Sequence, residues 1–281
     1  MKNEIITMNN NQNRYQGKVI LIFGGSKGIG RTIAESFTKE GGDVIISDVD
    51  EENGKKVVEC AQSQGRKINF IKADVISESE VQQTVFKTIT EFKKIDVLVY
   101  NVRGPRDKTE NLLNHSLSQW MDSLKYVLGG SYLTCKLVIP EMIKQNGGVI
   151  INIASISGLY IGDEPASYHT AKAALLNFSK YLADKYGPNN IRINCVSPGF
   201  IVNEEHLPYF NAEQNKNYRN TALLAHPLRK VGNAANIANA VLFLASADAS
   251  FITGQNIIID GGLTLRDQWS VANQIRSNFE K

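Results

Sequence analysis

The stretch "KVILIFGGSKGIGRTIAESFTKE", residues 18–40, joins an apolar run to a glycine cluster and then to apolar residues at a wider spacing. The run over 18–23 is continuous and rich in β-branched residues, which predicts a strand covered on both faces. Ile29, Ile33 and Phe37 recur every four residues, which predicts a helix from Ile29 to about Glu40. The same couplet repeats outward along the chain. "DVIIS" (43–47) precedes a charged helix over 51–64, "KINFIKA" (67–73) a helix over 78–92, and "DVLVY" (96–100) a polar loop and a long helix around 117–143. "GGVIINIA" (147–154) leads to a helix over 166–186, "IRINCVS" (191–197) to one over 234–246, and "QNIIID" (255–260) closes the series. Alternation of this kind predicts an α/β fold: a doubly wound parallel sheet of about seven strands with helices on both faces.

Between the first strand and its helix, Gly24, Gly28 and Gly30 allow a tight turn and close approach of backbone to a ligand. The N–H groups at the helix start, with the backbone of Ser26, Lys27 and Ile29, then face a diphosphate. Glycine-rich turns are common, but this one stands where a dinucleotide motif requires it. Asp48 follows Gly30 by 18 residues, at the end of the second strand. An acid there hydrogen-bonds adenosine ribose hydroxyls and repels a 2′-phosphate, which favours NAD over NADP. Lys27 opposes this by offering a cation to a phosphate. The carboxylate prevails because a phosphate beside it meets Coulomb repulsion and desolvation, while a lysine is free to turn to solvent.

The 281 residues carry 31 basic and 28 acidic side chains, a net charge of +3. That balance, with the basic residues scattered, argues against nucleic acid as a partner. Cys60, Cys135 and Cys195 are far apart and form no CxxC, so they read as free or buried thiols, not metal ligands. No apolar run approaches the ~20 residues that span a bilayer. Residues 1–16 are polar and Asn-rich and read as a mobile leader without a signal-peptide core, which places the protein in the cytoplasm. Nothing divides residues 17–265, which read as one domain; 266–281 form a C-terminal tail.

Residues 154–172, "ASISGLYIGDEPASYHTAK", bring Ser155, Tyr168 and Lys172 into one short segment. Tyrosine and lysine each titrate near ~10 in water, so neither alone is a base at neutral pH. Four residues apart on a helix, they share a face. An ammonium beside the phenol favours the phenolate, and an oxidised nicotinamide would add to that field. Ser155, at a strand end, is placed to hydrogen-bond a substrate oxygen as charge develops on it.

Together with "GGSKGIG", Asp48, "ADV" (73–75), "DVLVYN" (96–101), "SPG" (197–199) and "ITGQNIIIDGG" (252–262), this segment resembles the short-chain dehydrogenase/reductase family over residues 17–265. The thirteen residues from Ser155 to Tyr168 also fit. The resemblance implies a Rossmann-type fold and an NAD(H)-dependent oxidoreductase that passes hydride between nicotinamide and a small-molecule alcohol or ketone. It implies that Tyr168 is the general acid/base, that Ser155 orients the carbonyl, and that Lys172 holds the nicotinamide ribose and depresses the tyrosine pKa. It further implies Asp74 and Val75 at the adenine, Asn101 beside the nicotinamide, and Gly199 and Ile201 presenting backbone to the carboxamide. A homotetramer or homodimer is implied as well.

The chain departs from the family at three places. "YNVRG" (100–104) stands where Asn-Asn-Ala-Gly is usual, and Asn203 where a threonine is usual. Val127 occupies the position, seven after Trp120, where an asparagine commonly holds a proton-relay water linked to the lysine. Ser123 and Ser131, each four residues away, and a bend at Gly129 and Gly130 are the means of rebuilding it. These departures sustain a rival reading, a catalytically impaired nucleotide-binding sensor or scaffold. The substrate end reads less sharply: Arg103, Arg106 and His206 are candidates, with residues 202–232 as a partly apolar lid or a mobile loop. In the tail, Trp269, Val271 and Ile275 are candidates for docking on a neighbouring subunit.

Overall fold

The computed structural model describes residues 13–104, 112–114 and 116–279. Seven parallel strands lie in the order β3-β2-β1-β4-β5-β6-β7: β1 Val19–Phe23, β2 Asp43–Asp48, β3 Ile68–Lys72, β4 Val97–Tyr100, β5 Gly148–Ile153, β6 Ile191–Pro198 and β7 Asn256–Ile259. The helices between them are α1 Gly28–Lys39, α2 Glu51–Ser63, α3 Glu78–Phe92, α4 Leu117–Leu124, α5 Gly130–Lys144, α6 Ala166–Tyr186, α7 Leu207–Asn211, α8 Lys216–Ala225, α9 Ala234–Ala245 and α10 Gln268–Phe279.

Period-two alternation divides the apolar strands between two cores. Ile20 and Ile22 of β1 face α1, α2 and α9 through Ile33, Phe37, Val57 and Val241. Val19, Leu21 and Phe23 face α3, α5 and α6 through Val81, Val138 and Leu182. Chain order reverses between β1 and β4, so the loops at their carboxyl ends diverge and open a crevice. No helix among the described residues is long and apolar enough to cross a membrane.

Four stretches differ from the sequence expectation. Tyr15, within the expected leader, is buried edge-on against Phe37 at 4.7 Å and donates its hydroxyl to the Leu242 carbonyl. The packed body therefore starts before residue 17; residues 1–12 lie outside the described residues. The segment 202–232 is largely helical. Its base is closed by the Ile201–Gly232 bridge, and buried Phe210 meets Phe200 and Tyr218 in an aromatic cluster with His226 beyond Phe200. The tail forms α10, which packs on α8 and leaves Trp269 exposed.

The fourth difference divides the long helix expected over 117–143. Lys125–Gly129 forms a π-turn in which the Gly130 N–H bonds to the Lys125 carbonyl. The Tyr100 side chain causes the break from below, donating its hydroxyl to the Tyr126 carbonyl. A Cβ on Gly130 would lie 2.1 Å from that hydroxyl and 2.9 Å from Val75. Gly130→Ala is therefore expected to cost about 1–3 kcal/mol by overpacking. The penalty is expected to be smaller in a Tyr100→Phe background, where only the Val75 contact remains. Urea unfolding of the double-mutant cycle measures the coupling.

Candidate active site

The turn after β1 forms a cradle that only missing side chains permit. A Cβ on Gly30 would lie 2.0 Å from the Gly24 carbonyl oxygen and 2.6 Å from Asn101 Nδ2. Gly24 and Gly28 take positive φ angles of 79° and 51°, the region glycine enters without strain. Asn101 Nδ2 donates to the Gly24 carbonyl at 2.8 Å, tying the end of β4 to this turn. No side chain caps the start of α1, so its first N–H groups face the crevice as an anion site. Beside Gly28, the Asn203 Oδ1 is buried and has no partner within the protein. A glycine cradle, an uncapped helix start and an orphaned acceptor fit a dinucleotide's diphosphate and carboxamide.

At the far end of the cradle the charges are already paired. Asp48 Oδ2 accepts from the Ser26 hydroxyl at 2.5 Å and the Ser26 N–H at 3.2 Å, while Oδ1 accepts from the Asp50 N–H at 3.1 Å. The Ser26 side chain thus fixes Asp48. Lys27 Nζ lies 2.5 Å from Asp50 Oδ2. This partner holds Asp50 down to about 2 and raises the lysine. Asp50 also caps α2 by accepting the Asn53 N–H. The motifs in the sequence do not single out Asp50; the Asp-x-Asp spacing at the end of β2 is its only signal.

The two residues expected at an adenine are Asp74 and the buried Val75. Asp74 accepts the Ile76 N–H at 3.1 Å and bonds the Tyr126 phenol, whose pKa burial and this carboxylate raise. Tyr126 is a second residue that the sequence leaves unread, since only the π-turn brings it there. Ile29 packs on the core. Gly199 lies so near Asp260 that a Cβ would reach 2.5 Å from its side chain. Arg103 and His206 are exposed; Arg106 lies outside the described residues.

Ser155, Tyr168 and Lys172 come together where β5 meets α6. Ser155 follows the strand end, and its Oγ accepts the Ser157 N–H at 3.1 Å. Tyr168 is buried in the first turn of α6, with Lys172 Nζ 5.7 Å from its ring centroid. Lys172 is 2 % exposed and donates to the Ile153 carbonyl at 2.7 Å. Val127, Ala154, Ala171, Leu175, Leu176 and Cys195 form an apolar cluster around this point. Burial pulls the lysine down to about 7, and the nearby Arg103 charge also lowers it. Val127 is fully buried in that cluster. Neither serine takes the place of a relay asparagine: Ser123 lies 3.2 Å from Ser167, and Ser131 donates to Asn152 at 3.1 Å.

A phenol beside a buried amine, a strand-end serine and a dinucleotide cradle define an oxidoreductase acting on CH–OH groups with a nicotinamide cofactor. Residues 24–264 match the family model described as enoyl-(acyl carrier protein) reductase. The chain is 38% identical over 247 residues to the 3-oxoacyl-[acyl-carrier-protein] reductase FabG of Chlamydia trachomatis, covering 88% of this chain and 97% of that one. It is 33% identical to the 7alpha-hydroxysteroid dehydrogenase of Bacteroides fragilis, over 91% and 97% of the two chains. It superposes with a TM-score of 0.80 on a solved 7 alpha-hydroxysteroid dehydrogenase complexed with NADH and 7-oxo glycochenodeoxycholic acid, at 30% identity over 91% and 98% of the chains. The chain belongs to the short-chain dehydrogenase/reductase family.

The lysine environment has a consequence for stability. An unfolded lysine titrates near its ordinary 10.5 and the folded one near 7. Between those values the unfolded chain holds a proton that the folded chain lacks, so stability rises with pH across the window. Below about 7 the cost of the buried cation is fully present. Lys172→Met is therefore expected to raise the urea midpoint at pH 7 while abolishing turnover, and the gain is expected to shrink as pH climbs toward 10.

Proposed function

We propose that this protein interconverts a secondary alcohol and a ketone with NAD(H), using Tyr168 as the general acid/base. The observation that carries this is the Nζ of the buried Lys172 held 5.7 Å from the Tyr168 ring centroid, behind a serine whose acceptor is already engaged. Because Ser155 Oγ accepts the Ser157 N–H, its own proton is left to donate to the substrate oxygen. In the direction of reduction, Tyr168 delivers a proton to that oxygen, and the ammonium form of Lys172 stabilises the phenolate left behind. A nicotinamide held there would supply or accept the hydride at the substrate carbon. Lys172 and Asn101 hold its ribose side, Gly199, Ile201 and Asn203 its carboxamide, the Gly24–Gly30 turn the diphosphate, Asp48 the adenosine ribose, and Asp74 and Val75 the adenine.

Preference for NAD over NADP rests on two carboxylates. Asp48 is ordered by Ser26 at the ribose position, and the neighbouring cation, Lys27, is engaged by Asp50. The substrate has an apolar body. Leu159, Tyr160 and Ile161 after β5, and Leu207 and Tyr209 after β6, stand exposed on the carboxyl edge of the sheet, where the site lies. Arg103 and His206, on the same edge, serve its polar end. The described residues within 15–265 act as one domain around one sheet. Exposed Tyr132 and Tyr181 on α5 and α6 support a homodimer or homotetramer. The sensor or scaffold reading draws on Val127 and the "YNVRG" change; a lysine buried at such cost beside Tyr168 argues for turnover.

Fluorescence titration is expected to show tighter binding of NADH than of NADPH. NADH-linked reduction of apolar ketones is expected in the wild type and to fall about 10²–10⁴-fold in Tyr168→Phe, with NADH binding retained. Turnover that survives Tyr168→Phe sinks the assignment, and NADH binding without any ketone turnover moves the sensor reading to the front. Asp50→Asn releases Lys27 to make a charge-assisted hydrogen bond with a 2′-phosphate, and is expected to strengthen NADPH binding about tenfold. An unchanged NADPH dissociation constant would show that Lys27 does not face the 2′-position.

A further inference from the structure

We infer that His169 is a positioning residue that sets the Ser155 hydroxyl through one ring nitrogen and the substrate-side loop through the other. The inference rests on the alcohol/ketone reading above and extends it to a residue outside the Ser-Tyr-Lys group.

His169 directly follows Tyr168 on α6 and is buried. Its Nδ1 lies 2.6 Å from the Ser157 carbonyl oxygen. A carbonyl only accepts, so the proton sits on Nδ1. Nε2 meets Gly162, with the N–H at 3.4 Å and the carbonyl oxygen at 3.3 Å; in the Nδ1–H tautomer Nε2 accepts from that N–H. The imidazole therefore fastens the connection between Ser155 and Tyr168 onto α6 at two points. At the first point the link to chemistry is short: Ser157, gripped by its carbonyl, donates its N–H to Ser155 Oγ. That bond occupies a serine lone pair and leaves the serine proton to point at the substrate. At the second point the link is to binding. Gly162 closes the tip formed by Leu159, Tyr160 and Ile161, and Ile161 is 83% exposed.

The connection also packs tightly on α6 itself. A Cβ on Gly158 would lie 2.9 Å from the Lys172 backbone carbon. The segment thus has backbone room to sit in one place only while His169 holds both ends of it. Without the Nδ1 bond a part-buried carbonyl loses its partner, and the Ser157–Ser155 geometry relaxes. Without the Nε2 bond the apolar tip loses its anchor while Ser155 keeps its own.

Two near-isosteric half-replacements separate these roles. His169→Asn keeps an amide N–H near Nδ1 and loses the reach to Gly162; His169→Gln keeps an acceptor near Nε2 and loses the Ser157 bond. With the ketone that the wild type reduces best, His169→Gln is expected to lower kcat about tenfold with KM changed less than about twofold, the signature of an interaction used in the transition state. His169→Asn is expected to raise KM about fivefold with kcat nearly unchanged, the signature of lost uniform binding. The NADH dissociation constant is expected to stay within about twofold in both. Equal effects of the two variants on kcat and KM, loss of NADH binding in step with activity, or wild-type kinetics in both would overturn the inference. A wild type that binds NADH but reduces no ketone defeats the reductase reading itself and this inference with it; normal wild-type turnover with any of those three patterns defeats this inference alone.

Discussion

A lysine ammonium placed in an apolar wall is the constraint around which this molecule is arranged. Lys172 donates to a carbonyl at the end of β5 and is buried in α6, whose Ala171, Leu175 and Leu176 form an apolar cluster with Val127, Ala154 and Cys195. Burying a cation so is costly, and the depressed pKa expresses that cost. The arrangement persists only because the surrounding elements are fixed independently. β5 lies between β4 and β6 in the sheet, and α6 runs 21 residues along the covering layer. Neither element can move to rehydrate the amine without breaking a core. A folded state that tolerates this strain concentrates a poorly solvated base next to a phenol, which is where a proton-transfer site needs it.

The regular part of this architecture is legible because it is written in local periods. Each strand run is short, continuous and β-branched, and each helix shows a stripe of apolar residues, so the expected ends of α6 are the observed ones, Ala166 and Tyr186. The glycine turn is legible for a related reason: its steric demands fall on residues a few positions apart. What stays hidden depends on distant partners. The π-turn follows from a hydroxyl 26 residues upstream at Tyr100, and the helices within 202–232 are held by an aromatic cluster that also draws on Phe200. Gly129 and Gly130 signal a bend at the first, but the Tyr100 contact has no signature in that window. Asp50 caps α2, and it also restrains Lys27, a contact that depends on the side chain crossing from one strand end to the next.

In the proposed cofactor site, charge would discriminate without a dedicated repulsive group at every position. A lone Asp48 facing Lys27 would leave the two in competition for an incoming phosphate. Here Ser26 directs both its N–H and its hydroxyl to Asp48, so the acid stays at the position proposed for the ribose. Asp50 draws the lysine aside, and its own carboxylate adds to the negative field. An arriving 2′-phosphate would have to break one ion pair and approach two acids, while a ribose diol needs only an acceptor already in place.

The departures at Tyr100 and Val127 look separate in sequence and form one unit in space. Tyr100 extends beneath α5, and Gly130 withdraws its Cβ to admit the hydroxyl. The π-turn absorbs the extra width and presents the Tyr126 carbonyl to Tyr100 and the Tyr126 phenol to Asp74. The same turn drives Val127 into the apolar cluster near Lys172. An asparagine at that position would bury its amide among Ala154, Ala171, Leu175 and Cys195, which offer no side-chain hydrogen-bond partner but a thiol. Restoring the usual residue therefore conflicts with the turn that Tyr100 imposes. A site merely decaying toward a scaffold would shed its costly lysine first and accumulate unrelated changes. This chain keeps Lys172 buried and joins Tyr100 and Val127 through one turn, which argues for a site arranged for use.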